Sequence, residues 1–224
     1  RKDTGGIELT WGNHEAIVKV TEQIGKGEGF GGKVLADGIK KAVERLGEAS
    51  KAFAMECGGE ELPMHDPRCF PGIATSYVAD ATPGRHTQYG TWNIESNFFP
   101  PELGHPEIKD KYKYSGKGET HKHASSYGHV YNSAGLCMFA SVITPATAVP
   151  EYLTLVMGKT FTMKDILEIG ERIANLRIAF NLREGLRNKE VFKLPGRVIG
   201  QPPLVDGPTK GITVDKDTQI RDYY

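Results

Sequence analysis

Cysteine is scarce in this 224-residue sequence: three residues, at 57, 69 and 137, with no Cys-x-x-Cys pair and an odd total. That excludes a disulfide framework or a zinc-ribbon site and points to a reducing compartment, so a cytoplasmic location is expected. Net charge is missing too, because 28 Lys plus Arg balance 28 Asp plus Glu. Without a cationic excess there is no bulk attraction to nucleic acid or anionic lipid, and no nucleic-acid partner is expected. No apolar run approaches the roughly 20 residues of a membrane helix, so no membrane span is expected. The opening "RKDTGGIELTWG" lacks both a methionine and a signal-peptide pattern, and the closing "DKDTQIRDYY" is polar. The chain therefore reads as an internal section of a longer protein. Repeats of 20 to 50 residues and runs of alternating strands are absent as well.

What is present is helical periodicity, on a chain long enough to bury a core without staples. Asn13 is an N-cap type ahead of Ile17, Val20 and Ile24 at helical spacing. Leu35, Ile39, Ala42, Val43 and Leu46 repeat the pattern, with Gly47 as a stop signal, so the first 50 residues predict a helical hairpin. Its connection, "GKGEGFGG", lacks a Lys-Ser/Thr ending and follows a helix, so it reads as a turn instead of a phosphate loop. Residues 58–72 are rich in Gly and Pro and predict irregular backbone before a short helix at Ile73 to Ala79. A long loop is then expected from Thr82 to about Ser126, carrying Tyr89, Trp92, Phe98 and Phe99. A loop of that length inside a compact domain is usually either functional or disordered, and the aromatics argue against disorder. A small-residue helix is expected from Asn132 to about Val142, broken afterwards by the two prolines of "TPATAVPEYLTLVMG". Thr162 and Asp165 resemble a capping box opening a helix whose buried face is Ile166, Ile169, Ile173, Leu176 and Phe180. The last stretch, from Lys193, lacks periodicity and is expected to wrap the surface. The fold class is mainly α and multihelical, divided at 1–55 and 56–224.

Candidate chemistry is sparse. In "YNSAGLCMFA", Asn132 and Ser133 read as N-cap types and Gly135 lets a ligand approach the main chain. Cys137 would then lie in the first turn of a helix, where thiolate is favoured, as a nucleophile or metal ligand. The alternative is a small buried hydrophobe that happens to be cysteine. His86, in "ATPGRHTQYG", suits a general acid or base near neutral pH, or is a surface loop histidine. "THKHASSYGH" offers an HxH spacing with no acidic or cysteine partner at a matching offset, and reads as a solvated basic loop. In "HDPR", Arg68 either holds an anion or pins its own loop. Glu60 and Glu61 point to opposite faces of an extended segment, and Cys57 and Cys69 read as structural.

The ordered series "LTWGNHEAIVKVTEQIGKGEGFGGKVLADGIKKAVERLG", "EELPMHDPR", "YVADATPGRHTQ" and "NSAGLCMF" resembles the aldehyde ferredoxin oxidoreductase family, tungsten-pterin enzymes of anaerobes. The resemblance implies the C-terminal helical domains of such an enzyme: 1–55 as the end of the middle domain and 56–224 as the last. It implies that "NSAGLC" corresponds to the family's Asp-x-x-Gly-Leu-Cys element, with Cys137 the fourth thiolate of a [4Fe-4S] cluster whose other ligands lie upstream. His86 would be the active-site histidine near the metal. Asn132, Gly135, Leu136, Met138, Thr82 and Gln88 would lie along the tungsten-bispterin cofactor. The sequence departs from the family pattern at Asn132 (Asp expected), Met138 (Leu expected), and Thr82 and Gln88 (cations expected). The implied reaction is oxidation of an aldehyde to a carboxylic acid, with electrons passed to ferredoxin or another electron-transfer subunit; a homodimer is compatible with it. Two alternatives stand beside it: the tungsten subunit of an aromatic acyl-CoA reductase, acting on an aryl substrate, and a non-catalytic helical section that cradles cofactor or docks.

Overall fold

Asn13 starts the first helix because its side-chain oxygen accepts from the Ala16 amide at 3.1 Å, satisfying one of the orphan donors of the first turn. Helix α1 (His14–Lys26) ends at Gly27, which caps it in the left-handed conformation. A computed structural model describes residues 4–105, 107–186 and 192–224. A single π-helical turn, Gly31–Leu35, and helix α2 (Gly38–Leu46) complete the expected hairpin, although its second arm is interrupted at Ala36 and Asp37. Ala16 and Val20 pack with Ile7, Phe30 and Leu35 in a small cluster of their own. Ile17 and Ile24, expected on the buried face, are exposed.

Two short strands, β1 (Glu56–Cys57) and β2 (Glu60–Glu61), pair antiparallel, and they are the only sheet among the described residues. Helices α3 (Ile73–Ala79), α4 (Thr91–Glu95), α5 (Lys117–Ser133), α6 (Ala148–Met157), α7 (Met163–Arg183) and α8 (Lys216–Tyr223) follow. The chain is mainly helical, as expected. Helix α5 is the hub, packed against α3, α4, α7 and α8. Its approach to α7 depends on Gly170, where a Cβ would lie 1.8 Å from the Ser126 carbonyl oxygen. At its N-terminus a buried ion pair joins Lys117 to Glu95 of α4, and Glu95 also accepts from the Gly72 amide at 3.0 Å. Tyr89, Phe99, Tyr127, Tyr131, Val149 and Ile166 form one core; Cys57, Ile73, Tyr77, Trp92, Ile199 and Val214 form another.

Several expectations are corrected. The expected long loop is interrupted by α4 and by a 3-10 turn at Pro101–Leu103, and it ends near residue 116, because "THKHASSYGH" belongs to α5 instead of a solvated basic loop; His121 and His129 are buried. This helix escapes a hydrophobic-periodicity reading because its buried residues mix Thr, Ser, Gly and His with the apolar Ala124, Tyr127, Val130 and Tyr131, which dilutes the apolar period. Asn132 and Ser133 do not cap a new helix; they end α5. Gly135 then turns with φ of 74°, and Met138–Val142 forms a 3-10 turn in place of an α-helix. The proline segment itself holds an unexpected helix, α6, which accommodates Pro150 in its first turn, where the missing N–H costs no helix bond. On α7 the capping box of Thr162 and Asp165 is present, but Leu176 and Phe180 are exposed. The C-terminal stretch does not merely wrap the surface, since Phe192, Leu194, Ile199 and Val214 enter the core.

Candidate functional site

The segment between α3 and α4 carries His86. It leaves α3 at Asp80, whose carboxylate accepts from the Thr82 amide at 2.7 Å, and turns back as the Gly84 amide donates to the Tyr77 carbonyl at 3.0 Å. The half-buried His86 ring lies against the ring of His65, with centroids 4.7 Å apart and planes inclined by 38°. Trp92 backs His65 at 5.6 Å, and the Tyr77 hydroxyl donates to the His65 carbonyl at 2.8 Å. Burial first, then the neighbouring His65 and Arg85, push the His86 imidazole below its ordinary value. It is therefore neutral near pH 7, with one nitrogen free to accept a proton.

Three residues further on, Tyr89 takes a left-handed backbone with φ of 61°, unusual for a bulky residue. Complete burial of its ring and its hydroxyl bonds hold it there: the hydroxyl donates to the Met138 carbonyl at 3.0 Å and meets the Ser141 hydroxyl. The Asn132 amide donates to the Thr87 carbonyl at 3.3 Å and to the Gly128 carbonyl at 2.9 Å. Gly128 permits this contact, because a Cβ there would lie 2.1 Å from the Gln88 carbonyl oxygen. These bonds join the His86 loop to the turn that carries Cys137.

Cys137 is the residue just before the 3-10 turn, in extended conformation, and it is exposed. The helix-dipole argument thus has only a five-residue turn behind it. Gly135 faces open space, Leu136 packs partly into the core, and the Met138 side chain is buried, so this motif presents its backbone and its thiol. Thr82 is exposed and its hydroxyl accepts from Arg177 at 2.8 Å, whereas Gln88 is buried with its carbonyl oxygen 3.4 Å from the same guanidinium. A cavity of about 370 Å³ lies beside the turn, lined by Asn97, Phe98, Phe99, Ser141, Ile143 and others.

The remaining candidates are structural. Arg68 forks onto Asp66, with Nε to Oδ1 at 3.0 Å and Nη2 to Oδ2 at 2.6 Å, and so pins its own loop. Cys57 is buried, and burial followed by Glu56 pushes its thiol up to about 12, which leaves it inert. Sequence reasoning missed His65, quoted only as the start of "HDPR", and Arg177, which nothing in its surroundings distinguished. Among the described residues no group of three His, Cys, Asp or Glu could hold a metal ion. The exposed Cys137 thiol is accessible to a metal or cluster, and the buried Cys57 thiol is not.

The class defined by these features is a multihelical domain in which a histidine loop and a thiol-bearing turn are bonded together. The chain belongs to the aldehyde ferredoxin oxidoreductase family: residues 1–224 match the family's domains 2 and 3. It is 34% identical over 216 residues to the tungsten-containing aldehyde ferredoxin oxidoreductase of Pyrococcus furiosus, covering 96% of this chain and 34% of the relative. The proteins of the same description from Pyrococcus abyssi and Thermococcus kodakarensis are each 31% identical, over 100% and 96% of this chain and 36% and 34% of theirs. The chain spans about a third of the length of these relatives.

Proposed function

We propose that this chain is the helical part of a tungsten-bispterin, [4Fe-4S] oxidoreductase that converts an aldehyde and water to a carboxylic acid, passing two electrons to ferredoxin or another electron-transfer subunit. The observation that carries this reading is the bonding of the His86 loop to the Cys137 turn through Asn132 to Thr87 and Tyr89 to Met138. It holds a proton-handling group and a thiolate donor on one rigid frame. Cys137 would ligate the cluster, and the open backbone around Gly135 leaves room for hydrogen bonds to its sulfurs. Thr82 and the backbone of Asn132 to Met138 would lie toward the pterins. When bound, the tungsten-pterin group supplies the two-electron redox step, as cofactors do. His86, neutral and half-buried, accepts the proton released as water adds to the aldehyde carbon, or donates a hydrogen bond to the substrate oxygen. His65 and Trp92 keep its ring in one orientation.

The aromatic lining of the neighbouring cavity, Phe98 and Phe99, favours a bulky or aryl substrate. The same lining supports the second reading, an aromatic acyl-CoA reductase subunit, and so do Thr82 and Gln88 at the positions where the family pattern places cations. Elemental mass spectrometry of the full-length protein, purified without oxygen from its host, tests the reading: tungsten with several irons per chain is expected. Folded protein with neither metal would overturn it. Turnover of an aldehyde panel against aryl-CoA thioesters then separates the two activities. The isolated 224 residues are expected to bind neither tungsten nor a stable cluster, and stoichiometric metal on them would contradict the assignment of ligands beyond the chain.

A further inference from the structure

Arg177, in the second half of α7, delivers one guanidinium to partners on both arms of the His86 loop. Nη1 donates to Asp80 Oδ2 at 3.2 Å and lies 3.4 Å from Gln88 Oε1, while Nη2 donates to Thr82 Oγ1 at 2.8 Å. Asp80 and Thr82 precede His86 and Gln88 follows it, so the fork closes the base of the loop. Nη1 also lies 3.4 Å from His129 Nδ1. Since arginine only donates, Nδ1 is the acceptor and the proton sits on Nε2, facing Asp80 Oδ2 at 3.9 Å. One turn along α7, Asn181 donates to the Ala81 carbonyl at 2.8 Å. The Asp80 side chain is 2% exposed, and burial, then Arg177 and Arg85, push His129 down to about 3, so this histidine is neutral and cannot balance the carboxylate. Arg177 bonds the carboxylate directly, and Arg85 adds a second positive charge to its surroundings.

We propose that Arg177 is the positioning residue of the His86 loop: by tying Asp80 and Thr82 to Gln88 it fixes where the histidine meets substrate. The inference rests on the reading of His86 as the proton-handling residue. A planar fork is needed, because a lysine ammonium can hold the buried carboxylate but cannot reach both arms at fixed angles. Proton transfer tolerates little error, since a displacement of about 1 Å can cost about a hundredfold in rate.

The test uses the full-length protein as wild type, Arg177→Gln and Arg177→Lys, read by hydrogen–deuterium exchange of peptides spanning 81–90. Arg177→Gln is expected to raise exchange there about tenfold or more while α1 and α2 keep their protection. Arg177→Lys is expected to fall between, having kept the charge and lost the fork. In the holoenzyme, kcat should drop about tenfold to a hundredfold for Arg177→Gln with KM within about twofold. Unchanged exchange across 81–90, an equal rise throughout the chain, or a change confined to KM would overturn the proposal. Should Arg177→Gln fail to fold, Thr82→Val removes the exposed arm alone and is judged by the same peptides. If the wild type proves to lack aldehyde turnover, the functional reading fails, and the exchange comparison still decides whether Arg177 holds the loop.

Discussion

At the scale of single residues, the His65 ring lies against His86 and adds to the burial that holds the His86 imidazole below its ordinary value. Replacing His65 with Asn removes one of the causes that depress the His86 imidazole, after burial itself, and admits water around the ring. The His86 pKa should rise toward the ordinary value. A reaction that needs the neutral ring then loses rate at a higher pH than in the wild type. The acid limb of kcat/KM against pH is expected to move upward in His65→Asn, and a limb that stays in place would show that His86 is not the group titrating. The cysteines give a second contrast. Cys137 is exposed beside an open turn, whereas Cys57 is buried with its thiol 3.4 Å from the Tyr77 carbonyl. On the proposed role of Cys137 as a cluster ligand, Cys137→Ser in the full-length protein is expected to hold far less iron per chain than the wild type by elemental analysis, and Cys69→Ser to match the wild type.

At the scale of elements, the site depends on how closely α5 meets its neighbours. Gly170→Ala would gain about 1 kcal/mol in helix propensity but must push a methyl into the Ser126 carbonyl. The clash is with backbone, so it dominates, and a net loss of about 1–3 kcal/mol is expected from the denaturation midpoint at unchanged slope. Thr162→Ala is the milder case. It removes the side-chain half of the capping box on α7, where Thr162 accepts from the Asp165 amide at 3.2 Å, and should cost about 1 kcal/mol. Comparing the two separates the stability of α7 as a helix from its docking on α5.

At the scale of the whole molecule, the interior holds two histidines as neutral groups. Burial, in spite of Asp80, takes His121 down to about 4, and burial with Arg177 and Arg85 takes His129 to about 3. Between these values and the ordinary 6.5 the unfolded chain binds protons that the folded chain does not. Stability is therefore full above about pH 6.5 and declines as pH falls, by up to about 1.4 kcal/mol per pH unit for each histidine. Urea midpoints measured between pH 7 and pH 5 should show this acid-side decline, and His121→Gln should reduce its slope. A midpoint independent of pH over that interval would contradict neutral burial of the pair. No helix among the described residues is long and apolar enough to cross a membrane.

The sequence by itself determined the elements that signal locally. Asn13, the Thr162 and Asp165 box, Gly47 and the short helix from Ile73 to Ala79 are all legible, because caps and breakers act through neighbouring backbone groups. It also drew attention to His86 and Cys137, the first through its turn and the second through its scarcity. The tertiary structure decided what depends on partners far along the chain. Helix α5 has only a short apolar stripe in its second half, Ala124, Tyr127 and Tyr131, and its first half is buried through polar and small residues and close approach over Gly128 and Gly170. Tyr89 reads as one aromatic among several until its hydroxyl meets Met138, and His65 is only a loop residue until its ring meets His86. Arg177 lies 97 residues from Asp80 in sequence, and only the docking of α7 places a guanidinium against a buried carboxylate, a relation that no local pattern encodes.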